Sequence, residues 1–281
     1  MQLVMFAKHM RSLDMAQAAA AAARWGLDGL DYPVRAGYAV NPDNFRTALP
    51  ELVRALRREG LSLPMLTAEG NLTDPLGTSY VEPLLGTMME NDVRLLKIGY
   101  FPFREEVGYW LCVSDAREAL ARWEKVARRY AVTVVYHTHS GPYIGLNASS
   151  LMHVVRDFDP SCVGAYLDTG HLTISGEEFP MACSIVGEYL KVVALKDMAR
   201  VKDTADGRTV FVRKVFRPGE GATDLRGALR CLVARGFAGP LTIHMEWSRD
   251  DDELLAGSGE DAATYRRWLD ESAGSVQATG V

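Results

Sequence analysis

The stretch "VVYHTHSG" at residues 134–141 sets two histidines two positions apart at the end of an apolar run. A strand turns successive side chains to opposite faces, so His137 and His139 point the same way. Two imidazoles aimed in one direction can hold a metal ion, a substrate or nothing, and the pair alone does not choose. Similar polar ends recur along the chain. "DTGH" places Asp168 and His171 after another apolar run, "ALKD" places Lys196 and Asp197, and "LTIHMEW" places His244 and Glu246 two apart. Lys97 stands among apolar residues in "RLLKIGY", and Lys8, His9, Asp31, Arg35, Thr67 and Glu69 close further runs. Four of the six histidines fall in these positions and His9 is a fifth; His153 lies on an expected helix. Each residue also has a structural reading. Asp168 can cap the next helix. Lys196 and Asp197 can be an ion pair, although neighbours on a strand face opposite ways. Lys97 can snorkel, and His244 can be a hydrogen-bonded core histidine. Glu246 is costly to bury unless it is paired or bound to a metal.

The runs that end in these residues number eight: 3–8, 29–34, 61–67, 94–100, 132–138, 163–169, 191–197 and 240–247. Seven are followed by a segment of helical composition and period, such as "DMAQAAAAAARWG", which Gly26 stops, and "SDAREALARWEKVARRYA". The eighth is followed by a loop and a last amphipathic helix. Apolar strands alternating with helices imply a parallel sheet covered by helices. Eight such units in 281 residues predict an α/β fold, a closed (β/α)8 TIM barrel. No GxGxxG follows the first strand, which argues against a dinucleotide-binding sheet. One barrel domain is expected over residues 1–272, with "AGSVQATGV" at 273–281 as a flexible tail. In such a barrel the C-terminal strand ends converge on one mouth, which is where the polar residues cluster. The long segment 198–224 after the seventh strand has room for a hairpin around "ADGR". It is basic, and is expected either as a solvated hairpin or as a lid that recognises a carboxylate or phosphate.

The chain is 48% hydrophobic and 24% charged, with a formal charge of −5, and its basic clusters lie on expected amphipathic helices. That argues against nucleic acid as a partner. The four cysteines form no CxxC pair and read as buried thiols of a reducing compartment. No apolar run approaches the roughly 20 residues that span a bilayer, and the N-terminus lacks a signal-like apolar region. The expected setting is cytoplasmic, without membrane contact. A homo-oligomer is open.

The segments "ARWGLDGLDYPVR", "GAYLDTGH", "VVALKD", "RPGEGATDLRGALRCL" and "GPLTIHMEW" resemble the xylose isomerase-like barrels, the sugar-phosphate isomerases and epimerases, over nearly the whole chain. That resemblance implies a divalent metal held by a Glu of the fifth strand, the Asp of "DxGH", a His of the seventh strand and a Glu of the eighth. Asp168 and Glu246 match two of these positions. His171 matches a histidine that touches substrate, and Arg200 lies where ketose epimerases place a substrate-binding arginine. The other two ligands do not carry over. Ala194 stands where the pattern "HxKD" has its histidine, and "YHTHSG" replaces the fifth-strand Glu, resembling the "HxHxGT" of inosose dehydratases.

The resemblance implies proton transfer on a carbon next to a carbonyl, with epimerisation, isomerisation and dehydration sharing the same first half. The expected activity is isomerase or epimerase action on a keto-sugar or cyclitol. A dehydratase is the runner-up, and a non-catalytic barrel that has lost its metal is a third reading. A repair endonuclease of the same fold is disfavoured by the net charge. Asp168, Glu246 and His137 are the expected ligands of Mn²⁺, Co²⁺, Fe²⁺ or Zn²⁺. Glu246, His171 and Lys196 are the expected catalytic groups, and His139, Arg200, Lys97, Arg35 and His9 the expected substrate contacts. The competing arrangement has no metal: Lys196, Lys97 and Arg200 supply the positive charge, and Glu246 or His171 is the base.

Overall fold

The computed structural model describes residues 1–279, with side chains through residue 275. Seven strands, β1 (Gln2–Phe6), β2 (Gly29–Pro33), β3 (Ser62–Thr67), β4 (Leu95–Lys97), β5 (Thr133–His137), β6 (Val163–Asp168) and β7 (Leu190–Leu195), pair in parallel in sequence order. After them come an antiparallel hairpin, β8 (Asp197–Ala205) and β9 (Arg208–Phe216), and then β10 (Pro240–Ile243), which pairs with both β7 and β1 and closes the barrel. The eight barrel strands coincide with the eight apolar runs of the sequence. The fold is the TIM barrel that their alternation with helices predicts.

Helices α1 (Met15–Arg24), α2 (Phe45–Arg58), α3 (Val81–Glu90), α4 (Tyr109–Tyr130) and α5 (Ala148–Val155) separate the first six strands. Two short helices, α6 (Thr169–Ser175) and α7 (Phe179–Val186), follow β6, and α8 (Leu225–Ala234) precedes β10. The last helix, α9, runs from Asp251 to Thr279, so residues 273–279 of the expected tail continue it, and residues 280–281 lie outside the described residues. The main core lies between the sheet and this outer ring, with Leu30, Leu49, Leu66, Trp123, Leu167 and Leu195 buried in it. A smaller cluster of Met65, Val135, Tyr166, Val192 and Ala194 fills the barrel itself.

That inner cluster sets the mouth by simple alternation. Val135, Tyr166, Val192 and Ala194 point inward, so His137 and His139, Asp168, and Lys196 continue the same inward faces one or two steps on. Asp197 is turned the other way. Its carboxylate accepts from the backbone N–H groups of Gly219 at 2.9 Å, Gly221 at 2.9 Å and Thr223 at 3.0 Å, which folds "RPGEGAT" around it. A Cβ on Gly221 would sit 2.2 Å from Asp197 Oδ1, which explains the glycine. Asp197 is thus a structural acceptor and not an ion-pair partner of Lys196.

The hairpin turns at Asp206 and Gly207, both with positive φ (50° and 71°), the backbone that a two-residue turn matched to strand twist requires. Two strands end earlier than their composition implies. β4 stops at Lys97, because the Gly99 N–H donates instead to the Leu72 carbonyl at 2.6 Å. β10 stops at Ile243, leaving His244 and Glu246 on the loop beyond it.

Candidate active site

A cavity of about 190 Å³ opens at the C-terminal strand ends, lined by Lys8, Arg35, Lys97, Lys196, Glu246, His137, His139, His244, Tyr100 and Tyr166, with Phe6, Thr67 and Gly70. A larger groove of about 440 Å³ lies at the opposite barrel end around Arg57, Asp92 and Arg94, without a convergent polar constellation. Chemistry, not size, selects the first.

Lys196 stands at its centre. Its Nζ is 2.6 Å from Glu246 Oε2, 3.3 Å from Asp168 Oδ2 and 3.4 Å from His171 Nε2. Its backbone N–H is held by Thr169 Oγ1 at 3.0 Å, so the strand that presents it is fixed to the start of α6. Glu246 takes a second ammonium on its other oxygen, from Lys8 Nζ at 2.6 Å. Burial alone pulls the Lys196 amine down, but Asp168 and Glu246 outweigh it and hold the ammonium above lysine's usual range. The reciprocal holds for the acids. Burial pushes Asp168 and Glu246 up, and the neighbouring cations, Lys196 foremost, hold both well below the carboxylate range.

Asp168 divides its two oxygens. Oδ1 accepts the backbone N–H of His171 at 2.9 Å and caps α6, while Oδ2 faces Lys196 and lies 3.5 Å from His137 Nε2. The cap and the site reading of "DTGH" are therefore both present. The glycine of that motif is required by packing, since a Cβ on Gly170 would lie 2.6 Å from Met198 Cγ at the base of the hairpin.

The histidines are neutral. Burial lowers His137 to about 4, His139 to about 3 and His171 to about 3. His137 Nδ1 is paired with the Tyr100 hydroxyl at 2.7 Å, and His171 Nδ1 with the Ser140 hydroxyl at 2.8 Å. His244 pairs with the Tyr166 hydroxyl at 2.9 Å, the hydrogen-bonded role expected of it. Lys97 is the unusual amine. It is buried over the Tyr100 ring at 3.7 Å, and burial together with the Arg35 guanidinium pulls it down to about 7. Below it Asp31 is fully buried and accepts from Thr67 Oγ1 at 2.7 Å; burial raises its carboxyl to about 7 despite that bond.

Of the expected residues, Glu246, Lys196, His139, His137, Lys97 and Arg35 line the cavity, and Asp168 and His171 stand directly behind Lys196. Two are elsewhere. His9 is buried against α9, its Nε2 2.9 Å from Ser258 Oγ. Arg200 is exposed on the hairpin opposite Arg213. It is Arg213, on the partner strand, that reaches inward, its Nη1 donating to Ser140 Oγ at 3.3 Å. Sequence reasoning did not single out Tyr100, Tyr166 or Ser140, and reached Arg213 only as one of the basic residues of the segment 198–224. The inward alternation of β6 signals Tyr166, but nothing local marks Arg213 over its cross-strand partner Arg200, which shares its face of the hairpin.

The expected metal ligands do not form a metal site as they stand. Among the described residues no three His, Cys, Asp or Glu side chains are grouped to hold an ion. His137 Nε2 and Asp168 Oδ2 are two buried atoms without hydrogen-bond partners, 3.5 Å apart, but the third donor, Glu246, is spent on two lysines. Ala194, paired with Asp168 across the β6–β7 ladder, brings no donor. The position between the two carboxylates belongs to an ammonium group.

A closed parallel barrel of eight strands, with its charged and polar side chains gathered at the C-terminal strand ends, is a TIM barrel. The family model for the xylose isomerase-like TIM barrel matches residues 19–271, and the chain belongs to that family. It is similar to the inosose dehydratase of Halalkalibacterium halodurans, 25% identical over 169 residues, covering 58% of this chain and 53% of that protein. Inosose dehydratase 1 of Bacillus cereus is 30% identical over 176 residues, covering 59% of this chain and 55% of its own length. The chain spans about half the length of these relatives. Among solved structures, D-psicose 3-epimerase from Clostridium cellulolyticum superposes with a TM-score of 0.71 at 16% identity, over 96% of this chain and 99% of that one. The probable 3-DHS dehydratase of Bacillus anthracis superposes with a TM-score of 0.67 at 12% identity, over 92% of this chain and 98% of that one. At these identities the structural likenesses concern the fold.

Proposed function

We propose that this barrel is a dehydratase of a small polyhydroxylated ketone, a keto-cyclitol or keto-sugar, acting by proton removal next to the carbonyl. The observation that carries the reading is the set of unpartnered polar atoms at the site. Four buried side-chain atoms among the described residues lack hydrogen-bond partners, and two of them, His137 Nε2 and His139 Nδ1, belong to residues that line this cavity, while a third, Asp168 Oδ2, is met there only at ion-pair distance, by Lys196, His137 and His171. Buried polar atoms call for partners, and a ligand dense in hydroxyls supplies them. The cavity, about 190 Å³, is smaller than the roughly 300–1,000 Å³ of drug-sized pockets and suits a single ring.

The roles follow from charge. Lys196, with Lys97 and Arg35 on the opposite wall, faces the carbonyl oxygen and stabilises the negative charge that develops there. Glu246, 26% exposed at the cavity, takes the α-proton as the C–H bond breaks, its basicity restored as Lys196 turns its hydrogen bond from this carboxylate to the developing enolate oxygen. The electron pair forms the enolate and then a C=C bond as the β C–O bond breaks. The departing hydroxyl leaves as water with a proton from Lys97, whose value of about 7 suits an acid near neutral pH. The net change is loss of one water and formation of a conjugated enone. His171 acts as a positioning residue behind Lys196, and His139 and His137 bind hydroxyls. No step is routed through a divalent ion, which would have to displace Lys196.

The similarity to inosose dehydratases, with "YHTHSG" at the fifth strand, supports dehydration over epimerisation. The test is a panel of inososes and ketohexoses incubated in D₂O, read by proton NMR and by ultraviolet absorption of the enone. Deuterium exchange with enone formation is expected for at least one inosose. Exchange with a stereoisomer as the only product would make the protein an epimerase. An unchanged panel would remove the catalytic reading.

A further inference from the structure

The site contains its own cation. Lys196 Nζ contacts Glu246, Asp168 and His171 at 2.6, 3.3 and 3.4 Å, the groups that a divalent ion would gather. The side chain is buried, and its backbone is pinned by Thr169 Oγ1 at 3.0 Å, so the ammonium is held where it stands. Charge is already balanced without an ion: Lys8 and Lys196 stand against Glu246 and Asp168, and Arg35, joined by Lys97 when it is protonated, adds to the positive side of the same cavity. An incoming divalent cation would meet these lysines at close range in a poorly screened pocket. The position where a further donor would complete a ring beside Asp168 is Ala194, a methyl group.

We propose that Lys196 is the resident cation of this site, excluding a divalent metal and supplying in its place the positive charge that faces the substrate oxygen. The catalytic half of this statement rests on the proton-transfer reading above; the exclusion of metal does not. A single lysine then does two things. It neutralises the carboxylates in the resting state, and it offers a hydrogen-bond donor to an enolate oxygen. The charge of an ammonium is smaller than that of a divalent ion, so the additional cations on the opposite wall, Lys97 and Arg35, become part of the same electrostatic arrangement.

The test begins with the intact protein, dialysed against a chelator and titrated with Co²⁺, whose visible absorption reports coordination. The wild type is expected to show no stoichiometric Co²⁺ band. The double variant Ala194→His/Lys196→Met, which restores a donor and removes the ammonium, is expected to bind Co²⁺ at least about 10–100-fold more tightly. A stoichiometric Co²⁺ band in the wild type overturns the proposal, whatever the substrate. Should the double variant not fold, the single variant Ala194→His is compared in its place, and no gain over the wild type is then expected because the ammonium remains. A second arm uses any ketone that exchanges deuterium. Exchange is expected to survive the chelator, and Lys196→Ala to lose about 10²–10³-fold, with partial recovery by added methylammonium and none by Mn²⁺. Loss of wild-type exchange on chelation, restored by Mn²⁺, overturns the proposal and leaves the function standing. If no ketone exchanges, the functional reading fails while the Co²⁺ titration still decides the metal question.

Discussion

Replacing Lys196 by methionine keeps most of the side-chain volume and removes the charge between two carboxylates. Breaking a buried pair by deleting one partner costs about 3–5 kcal/mol, because the remaining charge is left uncompensated. The two acids do not share that cost equally. Asp168 is fully buried, whereas Glu246 is 26% exposed and keeps Lys8, so its half is screened and partly compensated. The expected loss at pH 8 is therefore near the lower end, about 3 kcal/mol, or roughly 6 °C in Tm at about 2 °C per kcal/mol for a chain of this size. The sign of the pH dependence is diagnostic. In the wild type Asp168 lies well below its usual value, so its contribution is present above the unfolded carboxylate range and is lost as pH falls through its folded value. Without Lys196, burial, the largest influence on this acid, pushes it up. The folded variant then holds a proton that the unfolded chain has released above about pH 4, and stability falls as pH rises. Thermal or urea unfolding at pH 5, 6.5 and 8 reads this directly. A variant within about 1 kcal/mol of the wild type at pH 8, with a parallel pH profile, would refute the assignment of Lys196 as the charge that holds Asp168 ionised. Adding Asp168→Asn to Lys196→Met removes the stranded charge and is expected to recover part of the loss, a coupling that a double-mutant cycle measures.

Arg200→Ala is expected to leave steady-state kinetics unchanged, whereas Arg213→Ala, which frees Ser140 and through it His171, is expected to lower kcat several-fold; equal effects of the two would contradict the selective contact of Arg213 with Ser140. Asp197→Ala deprives three backbone N–H groups of their acceptor and is expected to cost about 2–3 kcal/mol in urea unfolding, while a loss under about 0.5 kcal/mol would show that the 217–224 loop does not depend on it. Lys97 is buried with its amine at about 7 against 10.5 in the open chain, so the unfolded state binds more protons between those values and stability should rise with pH across them. Lys97→Met should flatten that rise, and an unchanged profile would place the titration elsewhere.

The barrel was legible because its signal is repeated: eight apolar runs alternating with helical periods leave few other closures. The inward set was legible for a similar reason, since strand alternation carries His137, Lys196 and Asp168 to the mouth once the faces of Val135, Val192 and Tyr166 are known. What the sequence leaves open depends on atoms several turns away. Whether Asp168 caps a helix or faces a pocket is a choice for an isolated tetrapeptide, and the fold answers with one oxygen for each. His9 reads as a strand-end group, but the chain turns at Ala7–His9 and sends it to Ser258, which is distant in sequence. Arg200 and Arg213 are equivalent in composition and are cross-strand partners on one face of the hairpin, so neither composition nor alternation tells which one touches the barrel; the contact with Ser140 falls to Arg213. The metal question was posed by missing ligands; alternation brings Lys196 to the mouth, but only the fold shows its amine standing between Asp168 and Glu246.

The hairpin begins at the residue after Lys196, with no linker between the lysine and a ribbon of nine residues on each strand. The ribbon leaves the barrel at the C-terminal end of β7, clamped on one side by the loop around Asp197 and on the other by Met198 packed over Gly170. The ribbon and the lysine share one continuous backbone, so the direction in which the hairpin leaves the barrel and the direction in which the ammonium points are set by the same few peptide planes.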